Sequence, residues 1–167
     1  MTAAATLGPA ATGTARPAAM VASAVRPAGS GTPALVVFTD HTDLPWLRLL
    51  RPGFRHCFAV VQANGAWVIV DPLSHCTTLQ VVPELAGWQP QAWFRHHGLT
   101  VVTTEVRQPP HRLAPWRPYT CVEAVKRLLG LRLPGVFTPW QLYRALQGER
   151  KIRVEEKNLD MRRRKRA

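Results

Sequence analysis

The stretch His56-Cys57-Phe58-Ala59-Val60-Val61-Gln62, Ala63-Asn64-Gly65, Ala66-Trp67-Val68-Ile69-Val70-Asp71 reads as two strands joined by a tight turn. Both flanking runs are rich in β-branched and aromatic residues. Asn-Gly between them favours a turn whose central residues take positive φ and whose twist matches that of the paired strands. An antiparallel hairpin follows, closed by Asp71-Pro72. Side chains alternate across a strand, so His56, Phe58 and Val60 share one face and Cys57, Ala59 and Val61 the other.

Working outward, Ala34-Leu35-Val36-Val37-Phe38-Thr39 is a short apolar run that reads as a buried strand. A helical turn is expected over 44–50, before Arg51-Pro52-Gly53 breaks the chain. Cys76 to Val82 reads as a third hairpin-side strand, 89–97 as a short helix ending before Gly98, and Leu99 to Val106 as a further strand. Pro109 to Pro118 is an irregular connector. Two helices end the body. The first covers 121–129, with Thr120 as N-cap, Glu123 as capping-box partner and Gly130 as stop. The second has Thr138 as cap, Pro139 in first position and Gln141 as capping-box partner, and is expected to end near Gln147, before Gly148. Several antiparallel strands followed by helices make an α+β fold, a small antiparallel sheet packed against helices.

The chain has 167 residues, of which 46% are hydrophobic and 19% charged, enough for one domain with a core. All six Trp lie between Trp46 and Trp140 and are expected to mark that core. Residues 1–33 are Ala, Thr, Gly and Pro-rich without an aromatic, and read as a disordered low-complexity arm. The domain is expected over 34–149, and 150–167 as a basic C-terminal tail. That tail carries nine Lys/Arg and three Asp/Glu, half of the net charge of +12. It ends in Arg162-Arg163-Arg164-Lys165-Arg166, a run that suits nonspecific binding to phosphate backbones or a solvated end. No apolar run reaches the length of a membrane span. Three cysteines do not make a disulfide framework and suit a reducing compartment, with the cytoplasm as the default. An acid-free N-terminus with two Arg keeps an organellar transit peptide as the alternative.

Cys121 is the residue with the strongest chemical promise. In the first turn of a helix it sits near unpaired backbone N–H groups and the positive end of the dipole, both of which favour thiolate. Helical spacing also puts it on one face with Val125, Leu128 and Leu129, where it could be a small core hydrophobe. His56 on its strand is the candidate base, and meets Cys121 if the helix packs on the His56 side of the sheet. A third group should hold the imidazole in its useful tautomer. Asp71 is the first choice and His75 the alternative. The bland readings are a hydrogen-bonded structural His and an Asp that forms a turn before Pro. Zinc is a lesser alternative. His56-Cys57, His75-Cys76 and His96-His97 supply ligand types, but adjacent strand residues diverge and the usual spacing is missing.

The order of Arg55-His56-Cys57-Phe58-Ala59-Val60, Trp67-Val68-Ile69-Val70-Asp71 and Thr120-Cys121-Val122-Glu123-Ala124-Val125 resembles the circularly permuted papain-like superfamily, the NlpC-type and lecithin-retinol-acyltransferase-like proteins. There a strand His precedes a Cys that begins a later helix. The resemblance covers roughly 34–147 and rests on order and setting. Family members often carry a His as the third residue, where Asp71 stands here. It implies a permuted papain-like fold and a cysteine peptidase or amidase, with Cys121 as nucleophile, His56 as base and Asp71 as orienter. An amide or ester would be cleaved through a thiol acyl-enzyme without a cofactor. A peptide, a cell-wall amide or an acyl ester would each fit as substrate. The competing expectation is a non-enzymatic interaction protein, phage or nucleoid-associated, whose basic tail binds nucleic acid or an acidic partner.

Overall fold

The computed structural model describes residues 31–42, 44–82, 89–108, 116 and 118–164, with the side chains of Arg153, Lys157, Leu159, Asp160 and 162–164 excepted. The expected arm up to residue 30, Trp88, most of the 109–118 connector and the last three residues lie outside them.

Among the described residues, five strands form one antiparallel sheet in the order β4-β3-β2-β1-β5. They are β1 (Thr32–Thr39), β2 (His56–Ala63), β3 (Ala66–Pro72), β4 (Thr77–Val82) and β5 (Thr100–Val106). A 3₁₀ turn covers Pro45–Leu49. The helices are α1 (Pro90–His96), α2 (Cys121–Leu128) and α3 (Pro139–Arg164). The expected hairpin is β2–β3. Ala63 pairs with Ala66 across a turn in which Asn64 and Gly65 have φ of 50° and 82°. That is the positive-φ pair the Asn-Gly dipeptide supports.

β1 lies between β2 and β5, and Ala34 to Phe38 are all buried. The reason is coverage of both faces. On one face Ala34, Val36, Phe38, Cys57, Ala59 and Val102 pack under Val122 and Val125 of α2, Leu129 at its C-cap, and Leu142 and Leu146 of α3. On the other, Leu35, Val37, Val60 and Val101 pack with Trp67 and with Phe94 of α1. Each aliphatic side chain fully removed from water contributes about 1.5–3 kcal/mol. A strand buried on both sides loses its polar alternation, which is why β1 reads as a continuous apolar run.

The described tryptophans do not mark the core. Among them Trp46, Trp93 and Trp116 are exposed, the last at 95%, and Trp67 is the one placed in a core cluster. Valine and leucine fill the two layers instead, because short side chains from strands and helices interdigitate across so thin a sheet.

The last helix corrects a second expectation. It does not stop before Gly148 but runs to Arg164, so the position expected to divide body from tail falls inside a helix. A glycine ends a helix when it adopts left-handed backbone. Gly130 does so, with φ of 65°, whereas Gly148 is not among the positive-φ glycines. Glu149 then anchors the helix to the body through its ion pair with Arg107, just after β5. A Cβ on Gly148 would meet nothing within 4 Å. Gly148→Ala should therefore stabilise the protein by about 0.5–1 kcal/mol, read as a rise in the thermal midpoint. A fall would mean that the helix does not continue through this position. Among the described residues, no helix is long and apolar enough to cross a membrane.

Candidate active site

His56 is the first residue of β2, opposite Thr39 at the end of β1. The turn before it is pinned by Asp40, whose carboxylate accepts from the Gly53 N–H and from Arg55, both at 2.7 Å. Arg55 N–H in turn donates to the Thr39 carbonyl at 3.1 Å. His56 therefore enters the sheet at a defined height, at one end of the strand.

Asp71 lies near the end of β3. The pairing of Val60 with Ile69 puts His56, Phe58 and Val60 on the same face as Ile69 and Asp71. The Asp71 carboxylate reaches the imidazole there, with Oδ1 2.6 Å from Nε2 of His56. Both side chains are largely sheltered, 13% and 28% exposed, so the bond is poorly screened by water. His75, the alternative orienter, is exposed. With Nε2 engaged by Asp71, Nδ1 is the ring nitrogen left for Cys121.

Cys121 begins α2 behind Thr120, whose Oγ1 accepts from the Glu123 N–H at 3.2 Å. Only this half of the expected capping box forms there. The Glu123 carboxylate turns to Lys126 at 2.8 Å and Arg127 at 3.0 Å. The second helix has the full box, with Gln141 Oε1 accepting from Thr138 N–H and Gln141 N–H donating to Thr138 Oγ1. The buried stripe of α2 also differs from expectation. It is Val122, Val125 and Leu129, while Leu128 is 37% exposed.

That stripe packs on the Cys57 face of the sheet, opposite to the face first required for a His56–Cys121 encounter. The two residues meet nonetheless, because His56 stands at the end of its strand and Cys121 at the start of its helix. Cys57 lies directly under the helix start, fully buried, and becomes a second neighbour of Cys121.

These contacts set the electrostatics. A hydrogen bond from Cys57 is the largest influence on Cys121. Burial opposes it, and the hydrogen bond and positive charge of His56 reinforce it, so that the thiol is pulled down to about 5. For His56, burial favours the neutral ring, but the bonds to Asp71 and then Cys121 outweigh it and lift the group to about 9. Cys57 is driven well above an ordinary thiol, first by burial and then by its bond to Cys121. Between about pH 5 and 9 the pair is thus thiolate and imidazolium, with Cys57 a neutral donor. In the sequence Cys57 stands out only as a possible zinc ligand beside His56. Its signal was the alternation that put it, and not His56, on the helix-facing side.

Cys121, His56 and Asp71 border one cavity of about 590 Å³. Its far wall is apolar, built by Leu44, Trp46, Leu47 and Leu50 around the 3₁₀ turn, with Phe58 from the sheet and Leu73 beyond it. The metal alternative finds no support in geometry. Among the described residues, no three His, Cys, Asp or Glu side chains gather as a ligand set. No protein-family model, curated protein or solved structure matches this chain.

Proposed function

We propose that this protein is a cysteine hydrolase that cleaves an amide or ester through a thiol acyl-enzyme. The observation that carries the reading is one imidazole held by Asp71 and bonded to Cys121, on the wall of a cavity large enough for a substrate. The Cys121 thiolate attacks the carbonyl carbon. Negative charge moves to the carbonyl oxygen, near backbone N–H groups of the helix start. Imidazolium at His56 gives its Nδ1 proton to the departing amine or alcohol, leaving an acyl-thioester and neutral imidazole. Nδ1 then takes a proton from water, whose oxygen attacks the thioester, and the thiolate leaves. The Asp71 carboxylate holds Nε2–H throughout.

The order His, Asp, Cys on two strands and a helix start supports a permuted papain-like relationship for the same reading. Of the substrates considered, an acyl ester or amide with an apolar body suits the cavity best. Leu44, Trp46, Leu47, Leu50, Phe58 and Leu73 would exclude water from it. A peptide or cell-wall amide would have to present an apolar group to the same wall. A persistent thiolate is compatible with the reducing cytoplasm.

The test uses p-nitrophenyl esters and p-nitroanilides of increasing acyl length. A burst of nitrophenol, with acyl mass on the peptide containing Cys121, is the expected result, and Cys121→Ala should show neither. Lengthening the acyl group from two to about eight carbons should raise kcat/KM by about tenfold or more, since burying only two of the added methylenes at about 0.8 kcal/mol each already gives that factor. Absence of any Cys121-linked acyl species across both series would remove the proposal.

A second reading is favoured by the helical continuation of α3 through the basic residues to Arg164. A long helix whose residues 150–164 include seven Lys/Arg against three Asp/Glu suits a polyanion such as nucleic acid. That reading does not need the thiol, and removal of 150–167 separates the two.

A further inference from the structure

The nucleophile of this site has a second thiol against it, and hydrolysis uses that thiol only as a hydrogen-bond donor. Cys57 is fully buried under the first turn of α2, while Cys121 lies on the cavity wall. Cys121 packs against the buried cluster that contains Cys57, and each thiol acts on the protonation of the other. Cys76, the other cysteine, is exposed. The arrangement is asymmetric: one thiol is reachable from solvent through the cavity, and its neighbour is buried away from solvent.

We propose that Cys121 and Cys57 form a reversible disulfide when the protein meets hydrogen peroxide, with Cys121 as the sulfur attacked by the oxidant and Cys57 as the resolving thiol. The inference concerns regulation of the proposed hydrolase site and rests on that reading for its consequence, but the disulfide itself does not depend on turnover.

The chemistry balances in two steps. The Cys121 thiolate attacks one peroxide oxygen and the O–O bond breaks. Cys121 becomes a sulfenic acid and the departing hydroxide takes the His56 proton to give water. Cys57 sulfur then attacks the sulfenic sulfur. The S–OH bond breaks, the S–S bond forms, and the Cys57 proton leaves with the hydroxyl as a second water. Two thiols lose two electrons and one peroxide becomes two waters. The environment favours this order. While Cys121 is an anion, it and the surrounding burial keep the proton on Cys57. Once Cys121 is a neutral sulfenic acid, the anionic contribution is gone and neutral His56 stands ready as a base. Proximity then makes the second step intramolecular and faster than a second attack by peroxide.

The consequence is protection with loss of activity. The disulfide removes the nucleophile, and a small dithiol restores it, whereas sulfinic acid would not be restored. The experiment treats the full chain with hydrogen peroxide, blocks residual thiols with N-ethylmaleimide and maps peptides by mass. The expected product is a Cys57–Cys121 cross-link in most chains, with Cys76 alkylated and Cys121 labelling recovered by dithiothreitol. In Cys57→Ser the hydroxyl still donates to Cys121 but cannot resolve. Peroxide should consume Cys121 at a rate within about threefold of the parent, while the fraction recovered by dithiothreitol falls at least tenfold, with sulfinic acid in its place. If Cys57→Ser does not fold, the parent map decides alone. Sulfinic acid at Cys121 in the parent, a cross-link to Cys76 or a cross-link between two chains would each overturn the proposal. A cross-link in a protein that never acylates would keep the redox pair and sink only the hydrolase.

Discussion

Replacing His56 by Ala should move the pH midpoint of Cys121 alkylation upward from about 5 and lower ester turnover by about 10²–10⁴-fold. Two effects combine. At about pH 6 a thiol with pKa near 5 is about 90% thiolate, and one near 9 about 0.1%. Thiolate reactivity falls with basicity, however, with a Brønsted slope of about 0.4–0.5. Much of the gain in population is therefore offset in simple alkylation, and the loss of rate with iodoacetamide should be no more than about tenfold. Cys57 keeps its hydrogen bond in the variant, so the midpoint should move part of the way to an ordinary thiol. Turnover suffers more, because the leaving group loses its proton donor and the attacking water its base. Asp71→Asn should preserve the fold and still cost about 10²-fold or more in turnover, by favouring the wrong imidazole tautomer. The checks are the pH profile of iodoacetamide labelling and the burst rate with a nitrophenyl ester. A midpoint unmoved by His56→Ala would mean that the ring does not act on the sulfur.

The largest stability effect is expected away from the chemistry, at Lys126. Its ammonium is buried, 6% exposed, and bonds to the Glu123 carboxylate at 2.8 Å and the carbonyls of Val136 and Leu133 at 3.0 and 3.3 Å. The helix that presents Cys121 is thus tied to the loop that leads into α3. Lys126→Met would keep the aliphatic stem and strand these acceptors. Breaking a buried pair by removing one partner costs about 3–5 kcal/mol. Arg127 continues to hold Glu123, so the lower end is expected, about 3 kcal/mol. The urea midpoint should fall by about 1–2 M. A change under about 0.3 M would show the clasp to be dispensable. The same cluster has an acid limb. Burial pushes the Glu123 carboxyl up, but Lys126 and then Arg127 pull it below its ordinary 4.5. A carboxyl depressed on folding stabilises fully above its unfolded pKa, and that contribution is lost as the pH falls through the folded value.

Much of the site was legible before any coordinates. Asn64-Gly65 declared the hairpin that puts His56 and Asp71 on neighbouring strands, and strict alternation put them on one face. Thr120 marked the helix start at Cys121. The sequence leaves open which sheet face α2 covers, for a clear reason. Val122, Val125 and Leu129 state that the helix has an apolar stripe, and Cys57, Ala59 and Val61 state that the sheet has one too. Phe58 and Val60 make an equally apolar stripe on the other side, so pattern alone allows both dockings. Helical spacing puts Leu128 on the inward face, yet it is 37% exposed, whereas Lys126, for which the spacing makes no case, is buried. A lysine becomes buried only when acceptors converge on it, and here two of those are carbonyls of the following loop.

Strand alternation, turn chemistry and helix caps are consequences of neighbours within a few residues, so the linear chain of amino acids specifies the hairpin, the helix starts and the α+β class without help. Packing settles what short-range forces leave degenerate. It chose the sheet face under α2, carried α3 past Gly148 by tying Glu149 to Arg107, and brought Cys57 against Cys121. Those outcomes depend on which apolar surfaces fit together and which buried charges find partners. That is a property of the folded whole, since complementary surfaces exist only once the elements have come together.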